Sequence, residues 1–492
     1  MMRNLEKLVA VARNADILTY PRAPFSPPEI FPELCKLLNE SEVDNQNNVY
    51  LLIRETFKML KLDTENIGTK KWSPFKGIVR KGDSVVIKPN LVFHSHPLGD
   101  DGLLSMVTHA SVIRPIIDYL LLETDGDVSI LICDAPVQSA DFKLICEKNG
   151  LNDLVKYYKA KGIRISIVDL RYEISTLDEE GIIINRVRGD GDPEGYCVVD
   201  LNKKSAFTPI INYSQKLEIT DYPVGTVSKH HNTFKNEYLI SKSILKSDLF
   251  INVPKLKTHK KTGITVAMKN LIGINGDKSW IAHHRRGGIE SGGDEYEKFN
   301  LSEYFKWHLN AYLKQSSLGK KINRILRKLY RTLIWKGKTI KEMALSTDEC
   351  TKTNYMEGSW FGNDTVWRTI LDLNNILFFS GKDGKIFDSK QRNYVVVVDG
   401  IWSGERNGPM EQIPRKSGVI ISGFNPVAVD YAAAKIIGFN SDKIPQIVNG
   451  FLNQFFLLSE FPQESIDIIS NFDIEKESLD FIPPDSWRKA LK

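Results

Sequence analysis

The chain has 492 residues, 42% hydrophobic and 26% charged, a composition that excludes a wholly disordered or fibrous protein. Its 66 basic and 61 acidic side chains leave a formal net charge of +5, too small over this length to predict nucleic-acid binding. The five cysteines lie far apart without a C-x-x-C pair, so neither a zinc ribbon nor an iron–sulfur cluster is expected.

Targeting and membrane-spanning signals are missing from the sequence pattern. The first residues, MMRNLEKLVAVARNAD, contain no uninterrupted apolar core, and nowhere do 18 apolar residues follow one another. We therefore expect a cytoplasmic protein, with peripheral membrane association left open by a cationic segment near residue 330.

The beginning of the chain predicts a lead-in followed by an α/β domain. Residues 1–75 are interpreted as a helical lead-in, because the Pro-rich PRAPFSPPEIFPE gives way to helical apolar spacing at 48–62. Within 76–455, the β-branched runs SVVIKPNLV, VSILICDAP and IRISIVDL alternate with helical stretches. This alternation predicts a mostly parallel sheet flanked by helices.

Polar side chains stand at the ends of these predicted strands. Lys88 and Asn90 follow the first strand, Asp134 ends the second, and His109 precedes the helix that starts near residue 110. Since ligands of parallel sheets bind outside the carboxyl ends of the strands, we interpret Lys88, Asn90 and Asp134 as substrate-binding candidates, and we include His109 with them.

Residues 171–237 differ in pattern and predict a β-rich extension of short strands. The chain then returns to a strand, SDLFINVPKLKTH, which delivers Lys255, Lys257 and His259 at its end. The next segment, GITVAMKNLIGI, predicts a short helix that displays Lys269 and Asn270. If the N-terminus of that helix faces the strand end, its backbone donors and dipole would help attract an anion.

Residues 300–357 predict a cationic helical insertion. Its second half, LGKKINRILRKLYRTLIWKGK, places apolar residues at helical spacing among lysines and arginines, as in helices that lie on membranes. Docking of residues 318–340 on a membrane surface or an acidic partner competes with a simpler interpretation, a solvated helix face packed on the body.

The last part of the domain predicts a strand, a loop and a capped helix. NYVVVVDGI ends in Asp399, and the loop WSGERNGPM carries Glu405, Asn407 and Gly408, which offer a carboxylate and close backbone approach to a ligand. A tight structural turn is the competing interpretation of this loop. Residues 456–492 are interpreted as a C-terminal tail without an assigned role.

The strongest chemical signal is the concentration of cations between residues 253 and 284, which contain six lysines and three histidines. Like charges crowded at a strand end repel one another unless an anion or counter-charges lie among them. We therefore predict a site for a phosphorylated or carboxylated molecule. Its catalytic candidates are His259 as general acid/base, Lys257 and Asp399, and its binding residues include Lys88, Lys255 and Lys269.

A metal site is a second interpretation of the same residues. The histidines and carboxylates that could bind a metal have no diagnostic spacing, so the metal ligands stay unknown. Hydrated Mg²⁺ held by carboxylates and substrate oxygens is favoured slightly over zinc. The donors considered are His109, His259, His283, His284, Asp134 and Asp399.

Seven motifs carry a resemblance to a known family. They are VVIKPNLV, THASVIRPIIDYL, ICDAP, VPKLKTH with GITVAMKNLIG, GNDTVWRTILDL, VVDGIWSGERNGP and SGFNPVAVDYAAAKIIG. In this order, from about residue 82 to 440, the chain resembles the domain of unknown function 362 family, and its GND helix and cationic insertion resemble a longer subgroup. Many members resemble redox accessory proteins with ferredoxin-like cysteine clusters. This chain has none, so the resemblance implies no electron-transfer role here.

These features favour an enzyme that acts on an anionic small molecule by group transfer or ligation, since no redox cofactor motif is present. A cofactor- or metal-dependent oxidoreductase or isomerase is the second hypothesis. A non-catalytic binding or assembly module that docks through its cationic helix is the third.

Overall fold

A computed structural model describes residues 5–39, 41–178, 183–297, 357–453 and 455–492, together with isolated positions between 301 and 325. The strands among these residues are β1 (Leu8–Arg13), β2 (Ser84–Pro89), β3 (Ser129–Asp134), β4 (Arg164–Asp169), β5 (Glu173–Leu177), β6 (Ile183–Arg188), β7 (Tyr196–Asp200), β8 (Leu217–Glu218), β9 (His231–Asn232), β10 (Lys235–Ser241), β11 (Leu249–Val253), β12 (Lys255–His259), β13 (Gly263–Thr265), β14 (His284–Arg285), β15 (Asn393–Asn407), β16 (Glu411–Gly423) and β17 (Asp467–Ser470).

The helices of the described residues are α1 (Asn48–Met59), α2 (Gly99–Met106), α3 (Ala110–Thr124), α4 (Phe142–Lys148), α5 (Leu151–Ala160), α6 (Lys242–Lys246), α7 (Ala267–Asn270), α8 (Val366–Phe379), α9 (Pro426–Ile436), α10 (Pro445–Phe451) and α11 (Arg488–Leu491). Local sequence explains several of these boundaries. Asn425, for example, precedes α9, and its side chain accepts hydrogen bonds from the N–H groups of Val427 and Ala428.

A ten-stranded sheet organises the molecule, with the order β17-β1-β16-β15-β11-β2-β3-β4 and with β12 and β13 attached beside β15. Neighbours along the main path are parallel except where β16 lies between β15 and β1, to both of which it is antiparallel. The predicted α/β class and mostly parallel sheet are confirmed.

The two faces of the sheet are covered by separate apolar cores. Alternate residues of one strand point to opposite faces, so Val85 and Ile87 of β2 belong to one core and Val86 to the other. Helices α1, α3 and α5 pack on the first face, and α8 and α9 pack on the second. Burial on both faces explains why these strands are continuous β-branched runs.

The two ends of the chain are part of the main sheet, which corrects two expectations. The first 75 residues are not only a helical lead-in, because β1 pairs with β16 inside the sheet. The C-terminal tail also has a structural role, since β17 pairs in parallel with β1 and Trp487 is fully buried. Both strands are short, and their partners come from distant parts of the sequence, so local patterns did not identify them.

Two further segments differ from expectation. The predicted loop after Asp399 is instead the second half of β15, a strand that continues to Asn407 and forms a long antiparallel ladder with β16. The predicted helix at GITVAMKNLIGI begins as a strand, β13, and only residues 267–270 are α-helical. The β-branched residues at the start of that segment favour pairing with β12.

Short strands do occur in the predicted β-rich extension, where β5 pairs with β6 in antiparallel orientation. Its other strands pair with later parts of the chain, since β7 and β9 are antiparallel to β10 and β8 is antiparallel to β14. Most of the predicted cationic insertion, residues 300–357, lies outside the described residues, as does most of the docking segment 318–340. In the part of the chain that is described, no helix has the length and apolarity needed to cross a membrane.

Candidate functional site

The candidate site lies where the order of the strands in the sheet reverses. β2, β3 and β4 follow one another toward one edge, whereas β11 and β15 lie on the other side of β2. Open α/β sheets form their ligand crevices at such a switch point, outside the carboxyl ends of the strands. Lys88 near the end of β2, Asp134 at the end of β3 and Lys257 in β12 all lie in this region.

A cavity of about 260 Å³ occupies this position. Its lining brings together part of the predicted set, namely Asn90, Asp134, Lys257, His259, Lys269 and Asn270. Lys278 and His283 also line it, although neither was predicted to bind the substrate and His283 was considered only as a metal ligand. The signal that could have found them was present, since both belong to the same cationic run. Residues 219–221, from the β-rich extension, also line the cavity.

A buried ion pair lies beside the cavity. The ammonium Nζ of Lys88 is 2.6 Å from Oδ1 of Asp134, and Oδ2 of Asp134 accepts the backbone N–H of Leu91 at 2.7 Å. A side chain at Gly273 would collide with this pair, because a Cβ there would lie 1.9 Å from Oδ1. The charge of Lys88 is therefore compensated within the protein, and Lys88 supports the site without lining the cavity.

Three lysines of the lining have no carboxylate ion-pair partner among the described residues. Lys257 donates to the carbonyl of Met106 at 2.6 Å, and Lys278 donates to the carbonyl of Ile272 at 2.9 Å. Lys269 makes neither a hydrogen bond nor an ion pair with any described residue. The cavity thus has more ammonium groups than counter-charges within the described structure.

Burial and mutual repulsion act on the protonation of these lysines. Burial, together with neighbouring cations, lowers the pKa of Lys269 to about 8 and that of Lys278 to about 7. The pKa of Lys257 is lowered well below its ordinary value by burial and by the charges of Lys269 and Lys255. An anion in the cavity would offset the repulsion and favour the protonated forms.

The two histidines of the lining are neutral because their pKa values are lowered. Nδ1 of His259 accepts the backbone N–H of Lys261 at 3.1 Å, so the proton of the neutral ring is on Nε2. Burial, followed by the charges of nearby lysines, lowers the pKa of His259 well below its ordinary value, and His283 is affected in the same way. His259 can therefore offer an N–H donor to a bound oxygen.

The N-terminus of α7 is capped by a carboxyl group of the protein, which corrects the expectation that its backbone donors would help hold an anion. Oδ1 of Asp430, from α9, accepts the N–H groups of Ala267 at 2.7 Å and Met268 at 3.3 Å. Burial raises the pKa of Asp430 to about 8. The first backbone donors of the helix are already bonded to this buried carboxyl group.

Three predicted site residues form a separate buried network outside the cavity lining. Asp399 accepts hydrogen bonds from Tyr20 Oη at 2.7 Å, from the backbone N–H of His109 at 2.9 Å and from Lys255 Nζ at 3.0 Å. The ring of His109 stacks on Tyr20 with centroids 4.0 Å apart. Lys255 and Asp399 neutralise each other, so the structure does not bring these residues to the ligand position. Tyr20, from the N-terminal segment, was not predicted.

The residues of the predicted glycine-containing loop make structural contacts. Glu405 pairs with Arg415 at 2.9 Å, and the side-chain amide of Asn407 donates to Asp485 at 2.6 Å. At Gly408, a Cβ would lie 2.1 Å from a backbone carbonyl oxygen of β12. These contacts fasten the β15–β16 hairpin to the C-terminal segment and to β12, and none of the three residues lines the cavity.

The histidines and carboxylates considered for a metal ion do not converge. Across the described ranges, no group of three or more His, Cys, Asp or Glu side chains is arranged to hold a metal. His259, His283 and Asp134 line the cavity, whereas His109 and Asp399 belong to the network around Tyr20.

Comparisons with known proteins give one family. A crystal structure of a protein from Thermotoga maritima matches with 10% sequence identity and a TM-score of 0.28; the match covers 78% of this chain and 56% of that chain. A comparison with curated proteins gives no match. The sequence model of the family described as "Domain of unknown function (DUF362)" matches residues 85–187 and 203–435. Because these segments make up most of the chain, the protein belongs to the DUF362 family.

Proposed function

We propose that this protein is an enzyme that binds a phosphorylated or carboxylated small molecule in the cavity at the switch point and acts on it by group transfer or ligation. The observation that carries the proposal is the set of three lysines, Lys257, Lys269 and Lys278, that line one cavity without a carboxylate ion-pair partner among the described residues. We further propose that the protein acts in the cytoplasm, where phosphorylated and carboxylated metabolites are available.

Electrostatics supports an anionic ligand. Two ammonium groups a few ångströms apart repel each other by about 1–4 kcal/mol in surroundings between water and a protein surface. Burial, followed by the charges of nearby cations that include Lys88, lowers the pKa values of Lys269 and Lys278. A phosphate or carboxylate among the three lysines would convert repulsion into charge-assisted hydrogen bonds, which are among the stronger polar contacts in proteins.

His259 and the size of the cavity limit which ligands and which contacts we propose. With Nδ1 bonded to the backbone, the neutral ring of His259 presents its Nε2–H as a hydrogen-bond donor to an oxygen of the ligand. The volume of about 260 Å³ is below the range of drug-sized sites, so we propose a small metabolite as ligand.

Calorimetric titration with inorganic phosphate, pyrophosphate and citrate tests the proposal. We expect at least one anion to bind the wild-type protein, and Lys257→Met or Lys269→Met to weaken it by about tenfold or more, because each removes a charge from the contact. Lys385→Met is the matched control, since that side chain is 80% exposed on the surface. Equal affinity in all four proteins, or no binding of any anion, would contradict the proposed function.

A further inference from the structure

The proposed function leaves open how the enzyme would activate its substrate. We propose that Lys269 is a nucleophile that forms an imine with an anionic aldehyde or ketone bound in the cavity. This inference rests on the proposed function, because the anion-binding lysines must hold the substrate carbonyl against Lys269.

Lys269 differs from the other lysines of the site in its contacts. Lys88 is paired with Asp134, while Lys257 and Lys278 each donate to a backbone carbonyl. Lys269 lines the cavity and has no hydrogen-bond or ion-pair partner within the described part of the chain. Its nitrogen is therefore the amine of the lining that remains available for attack on a bound molecule.

The surroundings of Lys269 favour a neutral amine. Burial and the charges of Lys261 and Lys88 lower its pKa to about 8. At pH 7 about one such amine in ten is neutral, whereas an ordinary lysine is neutral in fewer than about one molecule in a thousand. Placing a lysine next to other cations is a known way to make it nucleophilic.

The backbone that carries Lys269 is held on both sides. Before it, the N–H groups that begin α7 bond to Asp430. After it, the amide of Asn270 donates to Asn252 at 2.7 Å. The flanking residues Met268 and Asn270 are buried. The side chain of Lys269 thus projects into the cavity from a fixed backbone position, and the backbone need lose little freedom when a bond forms.

The chemistry balances without an outside reagent. The protonated amine first releases a proton, its nitrogen forms a bond to the carbonyl carbon, and the carbonyl oxygen takes up protons and leaves as water. The net change is ammonium plus carbonyl to protonated imine plus water. Lys257 and Lys278 would hold the carboxylate or phosphate, and the Nε2–H of His259 would donate to the departing oxygen. The protonated imine then withdraws electrons from the bonds next to it, which suits transfer of a carbon group.

Reductive trapping tests this inference. The full chain is incubated with glyoxylate or pyruvate and cyanoborohydride near pH 8, and the modified peptide is located by mass spectrometry. We expect one dominant adduct, on Lys269, that is suppressed by inorganic phosphate. Lys269→Arg, which keeps the charge but not the nucleophile, should lose the adduct, and Lys385→Arg should keep it. An adduct spread evenly over surface lysines, or one retained by Lys269→Arg, would overturn the inference.

Two measurements separate this inference from the proposed function. If phosphate binds the wild-type protein and Lys269→Arg but no adduct forms on Lys269, the nucleophile is refuted and the anion site stands. If phosphate neither binds nor suppresses trapping, the proposed function fails and the inference fails with it. Urea unfolding of Lys269→Arg and Lys269→Met checks their folding, and the peptide map of the wild-type protein decides the question even if both variants unfold.

Discussion

Replacing Lys278 by Met should stabilise the protein at neutral pH. Burial lowers the pKa of this lysine from 10.5 to about 7 in the folded protein. Such a difference means that this lysine destabilises the folded protein by about 5 kcal/mol near and below pH 7. Lys278→Met also loses the hydrogen bond to the carbonyl of Ile272, which costs about 1 kcal/mol. We therefore expect a net stabilisation of about 2–4 kcal/mol at pH 7.

The sign of the pH dependence follows from proton binding. Between about pH 7 and pH 10.5 the unfolded chain keeps the proton on this lysine and the folded protein releases it, so wild-type stability rises with pH. Lys278→Met lacks this contribution. The difference in unfolding free energy between variant and wild type should thus be largest near pH 7 and should shrink toward zero by about pH 10.

Urea unfolding at several pH values between 7 and 10, followed by intrinsic fluorescence, measures this difference, with Lys385→Met as the surface control. Other groups that titrate in this range affect both proteins and cancel in the comparison. If the stability curves of variant and wild type run parallel, or if the variant is less stable at pH 7, Lys278 is not held as a desolvated cation in the folded protein.

Two further predictions concern the buried carboxyl groups around the site. Asp134→Asn leaves Lys88 buried without a counter-charge and should cost about 3–5 kcal/mol of unfolding free energy in urea denaturation; adding Lys88→Met should recover part of it, and a purely additive loss would contradict the pairing. Asp430→Ala removes the acceptor of two backbone N–H groups and should cost about 1–3 kcal/mol. Asp430→Asn keeps the oxygen and should change little at pH 7, because burial raises the pKa of Asp430 to about 8; similar losses in both variants would disprove this assignment.

The parts of the fold that depend on local patterns could be predicted from the sequence. β2, β3 and β4 are β-branched runs that alternate with helices, and that alternation alone indicates a mostly parallel sheet. The positions of β1 and β17 could not be predicted in this way. Each is short, and its place in the sheet depends on pairing with a strand hundreds of residues away.

Only part of the candidate site could be predicted, because some of its contacts also join residues that are distant in the sequence. The position of polar residues at strand ends indicated Asn90, Asp134 and Lys257, which do line the cavity. The sequence could not show that Asp399 accepts hydrogen bonds from Tyr20 and Lys255, which are 379 and 144 residues away from it in the chain. Nor could it show that the carboxyl group of Asp430 in α9 accepts the first backbone N–H groups of α7.

The sequence by itself determined the alternation of strands and helices from β2 to β4, the family and the concentration of lysines between residues 253 and 284, because hydrophobic period and charge are properties of neighbouring residues. Only the tertiary structure decided which lysines of the predicted site are neutralised. Lys88 and Lys255 have buried carboxylate partners, and Lys269 has none among the described residues. Charge compensation depends on distances across the fold, so the lysines available to a ligand are identified only after the chain has folded.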